Sequence, residues 1–291
     1  MTQLAWIGLG VMGFPMAGHL ARKSQLKTVV YNRTTAKALS WVEKNSGQSA
    51  PTPKAAATGA DVVFACVGND DDLRNVAIGP EGAFQSMKPG SVFVDHTTAS
   101  ADVARELHAV AKRSGIGFVD APVSGGQAGA ENGLLTVMCG GDPEVYAKVE
   151  PLIMNYARMS KLLGPTGSGQ LAKMCNQIAI AGVVQGLAEC MQFGMKAGLD
   201  MTEVIDVISK GAAGSWQMEN RHKSMIAGKF DFGFAVDWMR KDLGICLEEA
   251  RGNGSHLPVT ALVDQFYSEV QANGGNRWDT SSLMTRLMKR P

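Results

Sequence analysis

Lys173, Asn176 and Gln177 stand at i, i+3 and i+4 of a helical pattern and therefore share one helix face. Apolar residues surround them: Leu171, Met174, Ile178, Ile180 and Val184. An ammonium in such surroundings incurs a desolvation cost that lowers its pKa, as a general acid or base working near neutral pH requires. The competing reading is a lysine that lays its stem along a core helix and keeps its amine in water. The two amides on the same face, and a Gly-rich entry at 164–169, favour proton transfer.

Two glycine-bearing stretches could hold reactants. Gly8-Leu9-Gly10-Val11-Met12-Gly13 fits G-x-G-x-x-G, follows an apolar run, precedes a helical pattern and lies in a β-α-β unit ending at Tyr31. Gly8 permits the tight turn, Gly10 lets a pyrophosphate approach the backbone, and Gly13 allows close helix–strand packing; the helix N-terminus then favours the phosphate charge. A tight β-α turn without a ligand is the alternative. The second strand ends in Tyr31-Asn32-Arg33-Thr34, with no carboxylate to take the ribose hydroxyls of NAD. Arg33 can pair with a 2′-phosphate while Asn32 and Thr34 hydrogen-bond it, so NADP(H) is expected over NAD(H). A solvated arginine at a strand end is the competing reading. Ser124-Gly125-Gly126 offers a hydroxyl and a nest of backbone N–H groups suited to a carboxylate, although taken alone it reads as a turn.

The elements that must position these groups follow from the periodicity. Apolar runs at 4–7, 28–31, 62–66, 91–95, 117–120 and 135–139 read as buried strands, with helical patterns between them at 12–21, 35–43 and 100–114. That alternation predicts an α/β, Rossmann-type doubly wound domain over 1–163. From Gly164 onward 3.6-period patterns take over, at 171–197, 201–209, 238–251 and 260–272, and predict an all-helical domain over 164–291. The stretch 171–197 is too long and apolar for a surface helix and is expected as a buried central helix joining the two.

Composition removes several function classes. Hydrophobic residues make up 45% of the 291, enough for two cores. The net charge of +1 argues against a nucleic-acid partner. Cys66, Cys139, Cys175, Cys190 and Cys246 form no C-x-x-C pair and read as reduced core residues, and the scattered histidines offer no metal site. No targeting segment or membrane span is expected, which makes the cytoplasm the default location. An apolar helical second domain, in a chain with 16 methionines, suggests a homodimer or homotetramer, against the alternative of a Met-rich core.

Four motifs in order resemble the β-hydroxyacid dehydrogenase family, which includes 3-hydroxyisobutyrate dehydrogenase, tartronate semialdehyde reductase and the glyoxylate/succinic semialdehyde reductases. They are the glycine fingerprint at 8–13, Asp120-Ala121-Pro122-Val123-Ser124-Gly125-Gly126, Gly167-Ser168-Gly169-Gln170-Leu171-Ala172-Lys173-Met174-Cys175-Asn176-Gln177, and Lys241-Asp242-Leu243. The resemblance implies that Ser124, Gly125, Gly126 and Asn176 hold the substrate acid. It further implies that Thr98 contacts the cofactor near the nicotinamide and that Lys241 reaches back to it. It puts further cofactor contacts at Val67, Gly68 and Asp72, in a loop where members often carry Leu-Pro or Val-Pro and later Asn. His96 stands where Ser is common and reads as a local variation. Gln177 replaces the second residue of a frequent Asn-Asn pair.

The resulting expectation is reversible hydride transfer between NADP(H) and a short β- or γ-hydroxy/oxo acid, with Lys173 moving the hydroxyl proton and no metal needed. An imine reductase, which usually lacks the lysine, and a non-catalytic NADP-binding module are the competitors.

Overall fold

Strands covered by helices on both faces have no solvent side, and their sequences here are apolar at consecutive positions. The computed structural model describes residues 3–288, so the outermost ends of both expected domains lie outside the described residues. β1 (Gln3–Ile7), α1 (Gly13–Ser24), β2 (Lys27–Tyr31), α2 (Thr35–Asn45), β3 (Gln48–Ser49) and α3 (Pro53–Ala57) open the chain. β4 (Val62–Ala65), α4 (Asp70–Ile78), β5 (Val92–Asp95), α5 (Ala101–Arg113) and β6 (Gly117–Asp120) continue the alternation. β7 (Val123–Ser124), α6 (Gly126–Asn132), β8 (Leu135–Gly141), α7 (Pro143–Ile153) and β9 (Ala157–Leu162) complete the sheet. The main helices that follow are α8 (Ser168–Lys196), α9 (Met201–Ile208), α10 (Trp216–Ile226), α11 (Val236–Asn253) and α12 (Pro258–Ala272).

Among the described residues the strands form one nine-stranded sheet in the order β3-β2-β1-β4-β5-β6-β8-β7, with β9 on β8. β3 through β6 run parallel; β8 is antiparallel to β6 and β7. The order reverses between β1 and β4, the switch point at which doubly wound sheets bind ligands. Register then aligns the strand ends. Ile7 pairs with Tyr31 and Ala65, Ala65 with Asp95, and Asp95 with Asp120, so five carboxyl ends form one row.

Alternation along each strand builds two cores in this unit. Leu4, Trp6, Val30, Phe64 and Val94 face α1 and α2 side chains such as Leu20 and Trp41. Ala5, Ile7, Val63 and Phe93 face Leu73, Val103 and Leu107. A separate core, centred on Val184, Leu187, Met191, Met239, Leu243 and Tyr267, fills the helical part. The chain divides into compact units Met1–Lys173 and Met174–Pro291, and that division falls inside α8.

Three local features differ from expectation. α4 opens on Asp70-Asp71-Asp72, which resembles a loop, but Asn69 caps it and acidic residues suit the first turn of a helix. α8 is not buried all round: Val183 and Phe193 are exposed, and so is Cys175, expected in a core. Its 29 residues are also long and apolar enough to cross a membrane, a criterion that a core helix meets equally well. Its buried positions include Gln170, Lys173, Gln177 and Gln185.

Candidate active site

The glycine turn after β1 shows why two of its three glycines are needed for the turn itself. Gly8 has φ +93°, and a Cβ on it would lie 2.2 Å from the Cys66 carbonyl oxygen. A Cβ on Gly13 would lie 2.0 Å from the Gly8 carbonyl oxygen, so α1 packs onto the turn only without a side chain. At Gly10 a Cβ would meet nothing within 4 Å, which leaves the backbone between Leu9 and Met12 open, as a pyrophosphate requires. Trp6 Nε1 donates to the Gly8 carbonyl at 3.0 Å and steadies the turn from below.

At the end of β2, Asn32 braces this turn: its Oδ1 accepts the Leu9 N–H at 2.9 Å and its Nδ2 donates to the Thr34 carbonyl at 3.0 Å. Both polar ends of the amide thus have protein partners. Arg33 is 85% exposed and pairs with Asp72 at 3.2 Å, while Thr34 is the N-cap of α2 without a side-chain cap bond. The residues expected on a 2′-phosphate therefore stand together, with Asp72, itself expected among the cofactor contacts, as their acidic neighbour.

The loops after β4 and β5 are stitched to each other. Thr97 Oγ1 accepts the Val67 N–H at 3.0 Å, and Asp70 accepts both the N–H and the hydroxyl of Ser100. Asp95 accepts the Thr97 N–H at 2.9 Å through Oδ1, while its Oδ2, fully buried, has no hydrogen-bond partner among the described residues. Burial raises its pKa to about 7, with Asp120 across the strand pair adding to the rise. His96 points away from this loop. Its Nδ1 lies 2.6 Å from the Ala121 carbonyl, which can only accept, so Nδ1 carries the proton and Nε2 accepts from the Tyr156 hydroxyl at 2.8 Å. Burial lowers its pKa to about 4, and the ring stacks on Trp6 and Phe64 as a neutral member of the core.

After β6, Asp120 takes the start of α8. Its Oδ1 accepts the Gly167 N–H at 2.8 Å and its Oδ2 the Gln170 N–H at 3.0 Å. Burial raises its pKa to about 6, and these N–H donors oppose the rise. One turn further along α8 is Lys173, which is buried at 8% exposure. Ser124 closes β7, and Gly125 and Gly126 follow with φ +131° and +62°. A Cβ on Gly126 would meet nothing within 4 Å, so its backbone is accessible.

In the helical unit Asn176 and Gln177 open a chain of amides and charges. Asn176 Nδ2 donates to Gln177 Oε1 at 2.7 Å, and Gln177 Nε2 donates to Asp242 Oδ2 at 2.6 Å. Lys241 Nζ lies 3.0 Å from Asp242 Oδ1. A carboxylate only accepts, so Asp242 dictates which end of Gln177 faces Asn176. Asp242, Gln170 and Asp120 are the polar residues that sequence reasoning did not place in the site. All three are buried, and each lies within one of the four motifs; an acid or amide inside an apolar helical or strand pattern was the available signal.

Comparison with known proteins places the whole chain in a family. Residues 3–164 match the family described as NAD binding domain of 6-phosphogluconate dehydrogenase, and residues 167–287 that described as NAD-binding of NADP-dependent 3-hydroxyisobutyrate dehydrogenase. An oxidoreductase of Shewanella frigidimarina is 66% identical over 289 residues, covering 99% of each chain. The 2-hydroxy-3-oxopropionate reductase of Escherichia coli is 32% identical over 286 residues, covering 98% of this chain and 97% of its own. The crystal structure of 3-hydroxyisobutyrate dehydrogenase from Salmonella typhimurium superposes with a TM-score of 0.88 at 27% identity, covering 98% of this chain and 100% of its own. The chain carries NAD(P)-binding domains on a Rossmann-type sheet followed by a helical C-terminal part, and it belongs to the β-hydroxyacid dehydrogenase family.

Proposed function

We propose that the protein transfers a hydride between NADP(H) and a short β- or γ-hydroxy/oxo acid of the 3-hydroxyisobutyrate or small semialdehyde type, with Lys173 as the proton-transferring residue. The observation that carries this reading is the burial of Lys173 one turn beyond the point where α8 is pinned to the carboxyl end of the sheet. When bound, the nicotinamide supplies or accepts the hydride. Lys173 holds the proton that the substrate oxygen gains or loses, and its positive charge stabilises the alkoxide developing there. Ser124, Gly125 and Gly126 receive the substrate carboxylate on a hydroxyl and backbone N–H groups, and Asn176, on the same helix as Lys173, orients it.

The cofactor set comprises Gly8, Leu9, Gly10, Val11, Met12 and Gly13 at the turn, Asn32, Arg33 and Thr34 after β2, and Val67, Gly68 and Asp72 after β4. Thr98 and, from the family resemblance, Lys241 complete it. Exposure of Arg33 supports NADP(H) over NAD(H), as does the match to an NADP-dependent family. We assign residues 1–163 to nucleotide binding and 164–291 to substrate binding and assembly in a cytoplasmic homodimer or homotetramer. The exposed apolar side chains of Val183, Phe193, Leu199 and Val207 support assembly through the helical part.

The test is an absorbance assay with NADPH against glyoxylate, succinic semialdehyde, tartronate semialdehyde and methylmalonate semialdehyde, repeated with NADH. Lys173→Ala is expected to lower kcat on the order of 10³-fold while NADPH binding stays nearly intact. Retained turnover would overturn the assignment, and a clear preference for NADH would overturn the cofactor.

A further inference from the structure

Gln170 has no exposed surface and commits its whole side chain to one loop. Nε2 donates to the Thr97 carbonyl at 2.7 Å, and Oε1 accepts the Ala99 N–H at 3.1 Å, so the amide closes a ring across Thr98. A carbonyl waits on one side and an N–H on the other, which only an amide held in a single orientation satisfies at both ends. The backbone of Gln170 faces a different strand end: its N–H donates to Asp120 Oδ2 at 3.0 Å, beside the Gly167 N–H on Oδ1 at 2.8 Å. The carboxylate sits between glycines. A Cβ on Gly140 would lie 2.7 Å from Oδ1, and one on Gly169 would lie 2.8 Å from Oδ2. The first turn of α8 can approach β6 and β8 this closely only because those side chains are missing. Lys173 follows three residues after Gln170 and is its neighbour on the helix surface.

We propose that Gln170 is a positioning residue for proton transfer, binding the Thr98 loop and the Lys173 turn into one rigid body, with Asp120 as its anchor. The proposal rests on Lys173 being the proton-transferring residue. Thr98 and Lys173 come from segments 75 positions apart in the chain (173 − 98), and chemistry between two such groups needs their separation held within a fraction of an ångström. Gln170 holds it by touching both segments and neither reactant.

Two substitutions test this beside wild type and Lys173→Ala, with NADPH and whichever of glyoxylate and the three semialdehydes turns over fastest. Gln170→Leu keeps the bulk and removes both bonds. It is expected to lower kcat on the order of 10²-fold, as a displacement of about 1 Å does, while the NADPH affinity measured by fluorescence titration falls far less, through the Thr98 contact alone. Gln170→Glu carries a pH signature. A protonated carboxyl offers one O–H and one acceptor, reproducing the amide, whereas the ionised form only accepts and faces the Thr97 carbonyl. Its kcat relative to wild type is therefore expected to approach unity at the acid end and to fall as pH rises.

A Gln170→Leu kcat within about threefold of wild type, or a parallel loss of NADPH affinity, would overturn the proposal. So would a Gln170→Glu to wild-type ratio independent of pH. Should Gln170→Leu fail to fold, that ratio decides alone. Turnover retained by Lys173→Ala would instead remove the underlying reading and the proposal with it, an outcome distinguishable because it does not depend on either Gln170 variant.

Discussion

Asp95 and Asp120 face each other at the ends of adjacent parallel strands, and both are held above the usual carboxylate range by burial. The folded chain therefore binds protons that the unfolded chain has released. The stabilisation is full below about pH 4 and is lost as pH rises through 6 and 7. Its size is on the order of 1 kcal/mol for each pH unit that separates the folded and unfolded titrations. His96 acts in the opposite sense: its contribution is full above 6.5 and is lost as pH falls through about 4. Urea midpoints are accordingly expected to decline between about pH 5.5 and 8, and Asp95→Asn should flatten that decline. An equally steep slope in Asp95→Asn would refute the assignment of the slope to this residue. Arg33 invites a second measurement at this scale. Arg33→Ala is expected to raise the NADPH KM by roughly 10- to 100-fold and leave the NADH KM nearly unchanged, as loss of one charge-assisted contact does. Asp72→Asn, which removes the half-buried partner of an exposed arginine, a pair worth about 1 kcal/mol or less, should lower the NADPH KM only a few-fold. Equal responses to both cofactors would argue that Arg33 does not read the 2′-phosphate.

Elements meet here through backbones, and glycines permit it. In Gly13→Ala the new Cβ would collide with the Gly8 carbonyl, and only α1 or the turn can yield. Overpacking of this type costs about 1–3 kcal/mol, so a drop in melting temperature together with weakened NADPH binding is expected; an unchanged variant would show that α1 does not rest on the turn. The turn itself was legible in the sequence because its causes are local: strand, three glycines and helix fall within 24 residues. The six core strands were legible for a similar reason, being apolar at consecutive positions. β9 was not, since Arg158, Ser160 and Lys161 interrupt its apolar pattern at exposed or half-buried positions. The anchoring of α8 was equally hidden. Asp120 and Gln170 lie 50 residues apart, and neither neighbourhood announces that a carboxylate will cap that helix. Gln177 shows the intermediate case. It was visible as a departure from an Asn-Asn pair, but its partner Asp242 lies 65 positions away. Gln177→Leu should strand a buried carboxylate end and destabilise the helical unit by about 1–3 kcal/mol, measurable by denaturant titration.

For the molecule as a whole, the exposed apolar side chains lie mainly after residue 182, and Phe193 (71% exposed) is prominent among them. Sedimentation velocity is expected to find a dimer or tetramer, and Phe193→Asp to shift it towards smaller species; a wild-type monomer at micromolar concentration would count against assembly. The tryptophans divide along similar lines. Trp6 and Trp41 are fully buried among strands and helices of the first unit, whereas Trp216 and Trp238 in the second are 49% and 39% exposed. Emission from the two units should therefore separate in wavelength, blue-edge light reporting the sheet and red-edge light the helical part. Trp6 is the informative one, because its indole N–H holds the Gly8 carbonyl and its ring stacks on a histidine that stays uncharged above about pH 4. Free of an imidazolium quencher at neutral pH, it makes the glycine turn optically visible without a label, and with the equally buried Trp41 replaced by Phe, blue-edge emission follows that turn while the red edge follows the helices.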